Sequence, residues 1–183
     1  MRWMWIDRIT DFVPEQRLTA VKNVSLAEEH LHDHFPADDR HHAMPIMPAT
    51  LMIEGMAQTA GILVGSVNRF REKVVLAKVQ RAAIERDVFP GQTIRYEATL
   101  ERIDQAGAST TGRIDRYCHV EQAWADVGRV DLIFSHLDHN AAGLKYPEHN
   151  FVFSDNFRTI LEQAGLGELW DGTERDAPAA PRT

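Results

Sequence analysis

Cysteine is nearly absent. Cys118 stands alone among 183 residues, so no internal disulfide can staple the fold, and a reducing, cytoplasmic setting is expected. Positive charge is also in short supply, with 20 Lys and Arg against 27 Asp and Glu and a formal charge of -7. That balance leaves no basic excess to neutralise phosphates and excludes a general nucleic-acid binder. A secretory leader is not expected either, because Asp7, Arg8 and Asp11 interrupt any apolar run at the start. What is present, 44% hydrophobic and 26% charged residues, is the balance of a soluble domain large enough to bury a proper core.

One stretch is different in kind. Ala49 to Gly65 is almost wholly apolar or small and carries a single charge, Glu54. At helical spacing Glu54, Gln58, Gly61 and Gly65 fall on one face, while Leu51, Met52, Met56 and Leu63 cover the others. A helix apolar nearly all round is a buried helix, and its carboxylate needs a reason to be there. The glycines, the threonines and Gln58 argue against a membrane span. Pro48 suits the first helical turn, where its missing N–H costs nothing. The free amides near Ala49 and Thr50 would then suit a polarised carbonyl oxygen.

The remainder reads as antiparallel sheet. Met1–Phe12 and Arg17–Ser25 form an expected hairpin across the turn Pro14-Glu15-Gln16. After the helix, Val74–Val79 and Ala82–Val88 are two strand candidates, and Phe89-Pro90-Gly91-Gln92 is a turn. Thr93–Ile103 alternates cleanly, with Ile94, Tyr96, Ala98 and Leu100 on one face. Asp104-Gln105-Ala106-Gly107 turns the chain into Ala108–His119, and Ala123–Ser135 is the last strand. These residues, 1–137, make one domain with no internal repeat. Residues 138–183 form an extension, with Ser154 placed to cap a short helix through Ala164 and Gly165 just past its end. From Asp171 to Thr183 the composition is that of a disordered tail.

Between Glu28 and His42 lie five histidines, His30, His32, His34, His41 and His42. With Asp33, Asp38 and Asp39 they could ligate a metal, but the reading preferred is a surface loop in which His34 is distinct. It is followed by Phe35-Pro36 and precedes the buried helix. An imidazole titrates near neutrality and can take a weakly acidic proton. A carboxyl in apolar surroundings is kept protonated by desolvation and can give one up.

His34-Phe35-Pro36, Pro45-Ile46-Met47-Pro48 and Leu51-Met52-Ile53-Glu54-Gly55-Met56-Ala57-Gln58, in that order, resemble the signature of the beta-hydroxyacyl-acyl carrier protein dehydratases of type II fatty-acid synthesis, the FabZ/FabA-like enzymes. Ala20-Val21-Lys22-Asn23-Val24 and Val88-Phe89-Pro90-Gly91-Gln92 are similar to flanking segments of that family. The resemblance implies an α+β hotdog fold, a curved antiparallel sheet wrapped around one long central helix. It implies a hydro-lyase that removes water from a 3-hydroxyacyl thioester to leave a trans-2-enoyl thioester, with no metal and no cofactor. His34 and Glu54 are the implied catalytic pair, drawn from different subunits of a homodimer, commonly within a trimer of dimers. The acyl chain would lie in an apolar tunnel, with Phe35, Pro48, Ala49 and Gln58 bordering the substrate and Gln58 orienting Glu54.

The implied partner is an acyl carrier protein, an acidic species. Arg69, Arg71, Lys73, Lys78, Arg81 and Arg86 are the densest basic stretch available to receive it. The chain departs from the family pattern in three places. Ala37–Met44 adds about six residues between Pro36 and Pro45, which keeps the site intact if they loop outward. Ala37 and Ala49 stand where glycine is usual. The N-terminal helix and aromatic gating segment of the family have no counterpart ahead of the first strand. Two other readings stay open: an acyl thioesterase of the same fold, and a non-catalytic acyl-binding subunit.

Overall fold

The computed structural model describes residues 4–137, 150–153 and 155–170. The expected cap Ser154 and the tail after Trp170 lie outside these residues. Alternation of apolar and polar side chains produces six strands: β1 (Arg8–Val13), β2 (Arg17–Asn23), β3 (Val74–Ile84), β4 (Gln92–Asp104), β5 (Gly107–Cys118) and β6 (Ala123–His136). All pair antiparallel in the order β1-β2-β4-β5-β6-β3. A single helical turn, α1 (His30–Asp33), and the 19-residue α2 (Ala49–Val67) connect β2 to β3. After the sheet come α3 (Asp155–Gln163) and a 3-10 turn at Gly167–Leu169.

The sheet wraps α2. Met52, Met56, Ala60, Ile62 and Leu63 are buried against Ile94, Tyr96, Ala98, Val130 and Leu132 from the strands. α2 is long and apolar enough to cross a membrane, yet most of it is buried inside this protein, as expected of a core helix. This is the hotdog arrangement.

Three expected boundaries shift. β1 starts at Arg8, because the amides of Trp5 and Asp7 are taken by the Gln58 side chain and the Val21 carbonyl. The two strands expected over Val74–Val79 and Ala82–Val88 are one, β3, which ends at Ile84. Ala77 and Gln80 are extra residues against β6, so the break in pattern is absorbed by bulges and the ladder continues. Pro48 is the cap residue with extended ψ of 130°, and Ala49 opens the helix. The turns behave as expected. Gly91, at φ of +83°, occupies the left-handed position of the Phe89–Gln92 turn, which favours glycine.

Two glycines of α2 meet opposite conditions. A methyl at Gly55 would lie 2.5 Å from the Tyr96 ring and hydroxyl, whereas one at Gly61 would meet only Phe134, at 3.7 Å. Gly55→Ala should therefore destabilise by ~1–3 kcal/mol through overpacking. Gly61→Ala should be neutral or stabilising by up to ~1 kcal/mol through helix propensity. Urea denaturation of both variants checks the pair; equal effects would contradict this packing.

Candidate active site

Gln58 is the anchor of the helix's polar stripe. It is buried, its Oε1 accepts the Trp5 amide at 2.8 Å, and its Nε2 donates to Glu54 Oε1 at 2.9 Å. The spacing of one turn puts both side chains on the same face. Through this chain of bonds the N-terminal segment fixes one oxygen of the carboxylate. Glu54 itself is half-buried, a correction to the deep burial expected from its apolar helix. The physical reason is that its face of α2 opens on a cleft of about 300 Å³. Ala57, Gln58 and Gly61 continue the helix wall of that cleft. Val74, Val75 and Leu76 of β3 and Phe134 of β6 face them. Val152, Phe153 and Phe157 supply the rest. Apart from Glu54 and Gln58 the lining is apolar among the described residues.

His34 follows α1 and is half-buried. Its Nδ1 lies 2.7 Å from the Ile46 carbonyl. A carbonyl can only accept, so the neutral ring carries its proton on Nδ1 and presents Nε2 as a base. Ile46 is held in turn, because the Met47 amide donates to the Val88 carbonyl at 2.8 Å and the Met47 side chain is buried. The Phe35 ring packs on the imidazole with centroids 4.3 Å apart, itself 46% exposed. His34 is not among the residues lining the Glu54 cleft of its own chain.

The extra residues loop outward. Phe35 through Met44 are exposed, and the Met44 amide donates to the Phe35 carbonyl at 3.0 Å, closing the excursion at its base. Within it Asp38 accepts the amides of Arg40 and His41 and pairs with the His41 ring, which together hold its carboxyl below the usual range. His34 and its Ile46 anchor therefore keep their relation despite the insertion. The other histidines diverge. His30 lies edge-on to Trp5, where burial lowers its pKa, and His41 stays with Asp38. At the helix start the Ala49 and Thr50 amides have no acceptor among the described residues, and both residues are exposed.

The basic stretch does not form one patch. Lys73, only 5% exposed, points inward and is removed from the expected surface. Its backbone carbonyl, which accepts the Leu137 amide at 2.9 Å, fixes the chain there just before β3. Arg69 donates to the Glu168 carbonyl at 2.7 Å and is occupied by the C-terminal segment. Arg69, Arg71, Lys78, Arg81 and Arg86 are all exposed. Sequence reasoning missed three features: the Trp5 amide as partner of Gln58, the Ile46 carbonyl as partner of His34, and the aromatic wall at Phe153 and Phe157. Only the last left a signal, an i, i+4 aromatic pair beyond the sheet.

Solved structures place the fold in the hotdog class. The dehydratase heterocomplex ApeI:P from Xenorhabdus doucetiae superposes with a TM-score of 0.55 and 16% identity, covering 73% of this chain and 83% of that one. A FabA-like domain profile matches residues 2–124. A 3-hydroxyacyl-[acyl-carrier-protein] dehydratase FabZ from Geobacter metallireducens is 30% identical over 137 residues, covering 70% of this chain and 87% of that protein. The enzyme of the same name from Neisseria meningitidis is 38% identical over 101 residues, 54% of this chain and 64% of that protein. The chain belongs to the FabA-like family. It spans about two thirds, 64–66%, of the length of several of the curated relatives it matches.

The His34 anchor makes a direct prediction. Long-range nitrogen-15 NMR of the neutral protein should show His34 as the Nδ1–H tautomer. A dominant Nε2–H form would contradict the bond to Ile46.

Proposed function

We propose that this protein dehydrates 3-hydroxyacyl thioesters carried by an acyl carrier protein, in fatty-acid or related lipid synthesis, in the cytoplasm. The carrying observation is a half-buried carboxylate, held by Gln58 at the edge of an apolar cleft, in a chain whose imidazole is independently pinned to present Nε2. Those are the two groups a β-elimination needs.

His34 Nε2 takes the proton from the carbon next to the thioester. The electron pair left there forms the carbon–carbon double bond as the C–O bond at the neighbouring carbon breaks. Glu54 gives its proton to the departing hydroxyl, which leaves as water. The proton then returns from the imidazolium to the carboxylate before the next turnover. Gln58 occupies Oε1, so Oε2 is the oxygen that carries the transferred proton. The Ala49 amide at the N-terminus of α2 would receive the thioester oxygen as it gains enolate character.

Among the described residues no histidine lines the cleft of one chain, and a second copy supplies it in this reading. β3 is an edge of the sheet, eleven residues long, with Leu76 and Val79 each 40% exposed. A long edge strand with exposed apolar side chains offers unpaired backbone to a partner strand. Pairing of two β3 edges gives an isologous dimer. Phe35 and Met44, 46% and 51% exposed beside His34, would be covered by the same contact. The carrier protein would be met by the exposed Arg71, Lys78, Arg81 and Arg86.

Incubation with a 3-hydroxyacyl thioester tests the chemistry. Enoyl absorbance is the expected result, while release of free thiol would mean hydrolysis and neither product would mean a binding subunit. His34→Ala and Glu54→Gln should each lose ~10²–10⁴-fold in kcat. Mixing the two dead variants should restore about a quarter of wild-type activity, since half the dimers would then hold one intact site. No recovery after subunit exchange would place both groups in one chain.

A further inference from the structure

The C-terminal segment forms the distal wall of the Glu54 cleft. The cleft begins at Glu54 and follows the face of α2 through Gln58 and Gly61. Beyond Gly61 it meets Val152, Phe153 and Phe157, none of which belongs to the sheet or to α2.

That wall is built into the fold. The Asn150 side-chain amide donates to the carbonyls of Phe70 and Glu72 at 2.9 and 3.0 Å, and its oxygen accepts the Val152 amide at 3.0 Å. Phe153 is buried edge-on to Phe70, with centroids 4.9 Å apart, and its ring fills the space left by Gly65, where any Cβ would lie 2.6 Å away. Phe157 packs edge-on to Phe153 at 5.6 Å. Ile160 and Leu161 bury the following turn of α3 in the main core.

Helix geometry sets the scale. The cleft's helix wall, Glu54 to Gly61, spans seven residues, ~10 Å along the axis. Among the described residues the lining beyond Glu54 and Gln58 is apolar, so it suits an aliphatic chain. We propose that Val152, Phe153 and Phe157 close the end of the acyl site and set an upper limit on acyl length, with Phe157 as the specificity-determining side chain. The occupant is a short or medium linear acyl chain; a long one ends against the two rings. This rests on the dehydratase reading only for the identity of the thioester. Phe157 is half-buried, so it can be altered without emptying the core.

The test compares 3-hydroxyoctanoyl and 3-hydroxyhexadecanoyl pantetheine on the full chain. Wild type should favour the octanoyl substrate. In Phe157→Ala the hexadecanoyl-to-octanoyl ratio of kcat/KM should rise about tenfold or more, and in Phe157→Trp it should fall. Calorimetry with octyl and hexadecyl pantetheine thioethers, which neither dehydrate nor hydrolyse, should show the same direction in Kd. A wild-type preference for the longer chain, or ratios unmoved in both folded variants, would overturn the proposal. Absence of turnover with a Kd ratio that still shifts would overturn the dehydration reading and leave the length limit standing.

Discussion

Burying a helix with one polar stripe creates a problem that the Trp5–Gln58 hydrogen bond resolves. α2 is enclosed by the sheet because an almost uniformly apolar helix has no favourable solvent face. Gln58 enters that interior with an amide that must find both a donor and an acceptor. The donor is the Trp5 amide, and the acceptor is Glu54. The same two bonds fix the N-terminal segment ahead of β1 and set the carboxylate at the edge of the cleft. Stability and site geometry are thus one arrangement.

The imidazole is placed by a parallel device built from backbone alone. Buried Met47 and its bond to Val88 fix the carbonyl of Ile46, and that carbonyl fixes the ring of His34. Since the anchor lies after the eight-residue excursion and the ring before it, the excursion only has to close on itself. The Met44–Phe35 bond does this. An insertion leaves its neighbours in place when both of its ends are tied to the same rigid segment.

Much of this was legible in the residues. The 3.6 period of Ala49–Gly65 marked the core helix, and the period of two over Thr93–Ile103 marked the central strand. The face shared by Glu54, Gln58 and Gly61 is the face that lines the cleft. What was hidden is backbone chemistry and long-range contact. No side-chain pattern announces that the Trp5 amide points at residue 58, or that a carbonyl at Ile46 receives residue 34. Lys73 looked like a surface cation because its neighbours in sequence are charged, but it is buried beside Val74, the buried first residue of β3. The bulges that keep β3 continuous were invisible because Ala77 and Gln80 break the alternation that defines a strand.

The stripe itself divides the labour. Its first two members, Glu54 and Gln58, are polar and tied together. Its last two, Gly61 and Gly65, are bare, and each absence of a side chain is used. Gly61 leaves the cleft open opposite Phe134, and Gly65 leaves a seat for the Phe153 ring. A rigid helix then holds the Glu54 carboxyl at one end of an apolar path, with the aromatic rings of the C-terminal segment at the other. Because these rings come from a segment outside the sheet, the length of that path can change without disturbing Glu54 or His34. Gly65 and Phe153 are coupled by contact, so a longer path requires a change in the C-terminal segment and not in the helix.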